Sequence, residues 1–121
     1  MKIQKDNFKA QEKKLKKYPE AQFMYEKIIN HIKQIGCAET LEKSPISKMY
    51  GFEALKYDMS GYYSFNLNKN RGKIRLIFLI DREKNIVEFV FISLEHYEDF
   101  KIKLRKSWEW IEWKILDLKI I

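Results

Sequence analysis

Residues 61–93 read GYYSFNLNKNRGKIRLIFLIDREKNIVEFVFIS, and this stretch decides the fold. Three runs, "GYYSFNLN", "KIRLIFLID" and "NIVEFVFISLE", are rich in aromatic and β-branched residues. Such residues suit a pleated, half-buried surface. The short polar links "KNRG" and "REKN" between them predict an antiparallel meander. The last two runs are apolar at nearly every position, as in a central strand covered on both faces. A cation interrupts the first of these two. Arg75 stands inside "KIRLIF", where a cation must pair or face a cleft. If "REKN" is a four-residue loop, Asp81 pairs with Ile86 and Arg75 falls opposite Ile92. A regular strand then puts His96 on the face of Arg75.

Upstream, the pattern is helical. "KDNFKAQEKKLKKY" is full of helix formers, with Asp6 or Asn7 as candidate caps and Phe8 and Leu15 as apolar anchors. "YPEAQFMYEKIINHIKQIG" reads as a second helix, with Pro19 in its first turn and Gly36 as its end. Phe23, Ile28, Ile32 and Ile35 make its stripe. His31 lies mid-helix and is a poor candidate for chemistry. Pro45 and Gly51 break the pattern that follows, and a loop or arm is expected there. After the strands, "HYEDFKIKLRKSWEWIEW" places Tyr97, Phe100, Leu104, Trp108 and Ile111 on one helical face. Ile102, Trp110 and Trp113 fall elsewhere and are candidates for an interface with a protein partner or a second copy of the chain.

The expected fold class is α+β. Two N-terminal helices pack on one face of a small curved antiparallel sheet, followed by a C-terminal helical extension. The 121 residues fit one domain over 1–121, with 96–121 as the extension. At 45% hydrophobic and 15% aromatic, the chain can build a core. Its 24 Lys+Arg against 17 Asp+Glu give a formal charge of +7, which favours a polyanionic partner. Cys37 is the single cysteine, so an internal disulfide is excluded; it reads as a small filler. No Cys/His cluster suggests zinc, and no apolar run is long enough for a bilayer. The start of the chain has no signal-peptide pattern, and cytoplasm is the expected compartment.

"GFEALKYDMSGYYS" (51–64) resembles the segment leading into the second strand of RelE/YoeB-type bacterial toxins. There a glutamate and a Leu-Lys pair precede Leu-Ser-Gly-Tyr and a second aromatic. Glu53, Leu55, Lys56, Met59, Ser60, Gly61, Tyr62 and Tyr63 stand in those places. "IRLIF" (74–78) is similar to the family's Arg-Leu-Val-Tyr strand, and "EHY" (95–97) to the His-Tyr pair near the end of YoeB-like toxins. The resemblance spans residues 51–100. It departs at "FNLN", where the family often carries arginines, and in the continuation beyond His96 and Tyr97. It implies a metal-independent, ribosome-dependent mRNA endonuclease that needs no cofactor. It also implies neutralisation by a cognate antitoxin.

RNA cleavage by side chains alone needs three groups. A base takes the proton of the ribose 2′-hydroxyl, a cation offsets charge on the phosphorane, and an acid protonates the departing 5′-oxygen. Glu53, Arg75 and His96 suit these roles in that order, the last because an imidazole titrates near neutrality. Tyr97 is a candidate to orient the phosphate or stack on a base, and Lys56, Arg71 and Lys73 to hold the RNA backbone. Two rival readings stay open: a ParE-like toxin acting on DNA gyrase, and a binding module of the same fold without catalysis.

Overall fold

The computed structural model describes residues 1–68 and 74–94. Arg71, Lys73, His96, Tyr97 and the expected helix carrying Ile102, Trp110 and Trp113 lie outside the described residues. The fold is α+β, and the sheet has five strands in the order β1-β5-β4-β3-β2. These are β1 (Lys2–Gln4), β2 (Glu53–Ala54), β3 (Tyr62–Asn66), β4 (Arg75–Asp81) and β5 (Ile86–Ser93). The expected meander is β3-β4-β5, with Asp81 opposite Ile86. The short segment at the chain start joins it as β1, parallel to β5, so the sheet is mixed.

Helix α1 (Lys9–Lys13) continues as a 3-10 turn, Lys14–Lys17. Its N-cap is Phe8, without a side-chain cap; Asn7 precedes it at φ 56°. Helix α2 (Pro19–Gln34) follows, with Pro19 in the first turn as expected. Its end differs from expectation. Ile35, not a left-handed glycine, closes it in extended conformation. The Met1 ammonium donates to the carbonyls of Ile32 and Ile35, and Asn85 Nδ2 donates to Gly36 O at 2.8 Å. A cation on the final carbonyls of a helix replaces the glycine cap.

The expected loop over residues 37–60 instead carries two short helices, α3 (Ala38–Lys43) and α4 (Pro45–Met49). Pro45 starts α4 rather than breaking structure, because Ser44 Oγ accepts from the amides of Ile46 and Ser47. Cys37 precedes α3 and is exposed, so it fills no gap in the core.

Strand alternation divides the sheet into two faces. Phe65, Leu76, Phe78, Val87, Phe89 and Ile92 face the helices and join Phe8, Leu15, Met24, Tyr25, Ile28, Ile32 and Leu41 in the main core. The stripe of α2 is thus built on Met24, Tyr25, Ile28 and Ile32; Phe23 lies outside it, 56% exposed. The other face carries a second cluster of Leu55, Met59, Ile77 and Phe91, to which no α-helix among the described residues contributes.

Candidate functional site

The second face holds the polar residues of the sheet. Pairing registers place Glu53, Ser64 and Ile77 in one row, and Asn66, Arg75 and Ser93 in the next. Directly paired residues project from the same face, and so do residues two apart on one strand. Glu53 and Arg75 therefore share a face, two strands and two residues apart. Strand spacing and rise put their Cα atoms about 12 Å from each other. Lys56 is exposed just beyond β2. Tyr62, also on this face, has its phenol pKa raised by burial and by the nearby Glu88 carboxylate.

Arg75 is half-buried, and Asn66 Oδ1 accepts from its Nε at 3.2 Å. That bond fixes the plane of the guanidinium, which then presents its terminal nitrogens in a set direction. Asn66 belongs to "FNLN", which reads in the sequence as charge missing from the strand. Its role as the partner of Arg75 was the site feature that sequence reasoning missed. No local signal marks it; only the β3-β4 register sets Asn66 opposite Arg75. Asn66 in turn depends on Gly51, at φ 75°. A Cβ there would collide with Asn66 Nδ2. Gly51 thus serves both a left-handed turn and the close approach of that amide.

One expectation about the site changes. Arg75 pairs with Ser93, not Ile92. A bulge does this: Phe78 pairs with Phe89 and Ile77 with Phe91, so Val90 is the extra residue. The parity argument that placed His96 on the face of Arg75 loses its premise, and His96 itself lies outside the described residues. Of the expected site residues, the structure brings Glu53 and Arg75 to one face, while Lys56 is exposed two residues past the end of β2.

His31 is structural. Its Nε2 and Ser47 Oγ are 2.8 Å apart in a buried hydrogen bond, and its ring meets Tyr50 edge-on. Burial lowers its pKa. Among the described residues, no group of three His, Cys, Asp or Glu side chains could hold a metal. No helix of the described residues is long and apolar enough to cross a membrane.

No protein-family model matches the chain, and no curated protein matches it. Solved structures do. A YoeB/ParE toxin from Agrobacterium tumefaciens matches over 79% of this chain and 100% of its own, at 15% identity and a TM-score of 0.50. The YoeB-YefM complex from Staphylococcus aureus matches over 78% of this chain and 94% of its own, at 14% identity and a TM-score of 0.48. A heterotetrameric YoeB-YefM toxin-antitoxin complex from the same organism matches at 19% identity, with the same coverages and a TM-score of 0.46. The chain has the fold of the YoeB/ParE toxin.

Proposed function

We propose that the chain is the toxin of a toxin-antitoxin pair and acts as a metal-independent endoribonuclease on ribosome-bound mRNA. The observation that carries this reading is Arg75. A half-buried cation is held by Asn66 on the polar face of the sheet, with the Glu53 carboxylate on the same face. The sequence resemblance over residues 51–100 supports it, as does the fold.

In this mechanism Glu53 takes the 2′-hydroxyl proton, and the 2′-oxygen attacks the adjacent phosphorus. Arg75 stabilises the charge on the phosphorane oxygens. His96 gives its proton to the departing 5′-oxygen. Tyr97 orients the phosphate, and Lys56, Arg71 and Lys73 hold the flanking backbone. The products are a 2′,3′-cyclic phosphate and a 5′-hydroxyl. A cognate antitoxin is the proposed protein partner, and Ile102, Trp110 and Trp113 are proposed to bind it or a second copy of the chain. The bacterial cytoplasm is the compartment this requires.

The test is cleavage of a defined mRNA on bacterial ribosomes by wild type and Arg75→Ala, with the new 5′ ends mapped and their chemistry determined. Wild type should leave 5′-hydroxyl ends, and folded Arg75→Ala should cut on the order of 100-fold more slowly. A folded Arg75→Ala that cuts at the wild-type rate overturns the role of Arg75. Growth arrest without mRNA cleavage, together with inhibited gyrase supercoiling, would favour the ParE-like reading.

A further inference from the structure

Among the described residues, three other than glycine have positive φ: Asn7 at 56°, Tyr57 at 57° and Asn85 at 58°. Asparagine tolerates the left-handed region, and Asn85 uses it to reach Gly36 O. Tyr57 is the odd member. A bulky aromatic is strained there, and glycine would meet no such penalty. Nor does the ring return anything to the fold, since Tyr57 is 87% exposed.

The surrounding chain holds it in this position. Leu55 and Met59, two residues to either side, are buried against Ile77 and Phe91. The Leu55 amide donates to Tyr62 O at 2.9 Å, and the Ser60 amide to Tyr57 O at 3.0 Å. Both flanks are thus tied to the second face of the sheet, and the residue midway between them is displayed. The same connection carries Lys56 beside it and starts at the strand of Glu53. Asp58, the other neighbour, adds one negative charge. An exposed aromatic ring on an anchored backbone, with a lysine next to it in the chain, is suited to a nucleotide: the ring stacks on the base while the cation attracts the phosphate.

We propose that Tyr57 is a base-stacking residue of the RNA site and contributes to its choice of cleavage position. This rests on the endoribonuclease reading above. Stacking has no donor or acceptor code of its own, so selectivity arises from how well each base covers the ring, with purines covering it best. Preferred cuts should then cluster around a purine at one fixed offset.

The experiment maps 5′ ends on a defined mRNA carried by bacterial ribosomes, for wild type, Tyr57→Gly and Tyr57→Phe. Tyr57→Gly relieves the backbone, so it should fold with an unchanged or higher melting temperature. Its cleavage at preferred sites should fall on the order of 10-fold, with preference among sites flattened. Tyr57→Phe should keep the wild-type pattern, because the ring and not the hydroxyl stacks. If wild type cuts and Tyr57→Gly cuts the same sites equally fast, the stacking role is wrong while the endoribonuclease reading stands. If wild type cuts nothing, both fall.

Discussion

The two faces of the sheet differ in what their residues do. On the helix side, Phe65 and Phe78 stack at 5.1 Å, Tyr63 lies 5.9 Å from Phe78, and Phe52 lies within 6.1 Å of all three. Phe8, Tyr25 and Phe89 form a second aromatic group there. On the other face a small apolar cluster sits among Glu53, Ser64, Asn66, Arg75, Glu88 and Ser93. The first face supplies most of the burial that stabilises the domain. The second gives up burial to carry polar groups in fixed positions. One seven-residue strand serves both, because alternate side chains of β4 belong to alternate faces.

The largest effect expected from this contrast is on stability. Phe78→Ala leaves a void in the aromatic stack and should cost about 3–5 kcal/mol, measured by denaturant unfolding. That is a large share of the ~5–15 kcal/mol typical of a domain. Leu55→Ala, on the second face, should cost nearer 2 kcal/mol. Equal losses from the two would break the contrast.

A smaller effect separates positioning from folding. Asn66→Ala removes the acceptor of Arg75 Nε and should slow mRNA cleavage on the order of 10-fold, with stability changed by about 1 kcal/mol or less. Unchanged cleavage beside a large loss of stability would assign Asn66 to the fold alone.

The smallest concerns pH. Burial holds the His31 pKa below its unfolded value of 6.5, so the folded protein favours the neutral ring. Below that value the unfolded chain binds more protons. The contribution of His31 is therefore present above about pH 6.5 and lost as pH falls below it. His31→Gln should flatten the change in denaturant midpoint between about pH 7.5 and about pH 5.5 relative to wild type. An identical pH dependence in the variant would show that His31 does not titrate on unfolding.

The meander was legible because its β-branched runs and polar links are local signals. The Asp81–Ile86 pairing followed from loop length alone. The bulge at Val90 was not legible. "NIVEFVFI" has no glycine or proline to mark it, and residues apolar on both faces conceal a shift of parity. Phe23 misled because its spacing fits the stripe of α2, yet the true stripe is offset toward Met24 and Tyr25. Pro45 reads as a breaker, but Ser44 beside it makes it a helix start. Of the site, Glu53 and Arg75 could be chosen by residue type and resemblance. Asn66 required the register, since only pairing opposite Arg75 gives it meaning.

The outer edge of β5 has a further consequence. β1 pairs with it only from Ile86 to Glu88. Farther along, Gln11 Oε1 accepts from the Ile92 amide at 3.1 Å, and Lys14 Nζ donates to the Ile92 carbonyl at 3.1 Å while lying 4.0 Å from the Phe91 ring. Two side chains there do what a neighbouring backbone would do. A backbone strand presents a fresh edge to the next molecule; a side chain presents none. With so many aromatic and β-branched residues in β4 and β5, an exposed edge would template stacking from one molecule to the next. Gln11 and Lys14 occupy this part of the β5 edge, so the Ile92 backbone groups are not open to pairing with another molecule.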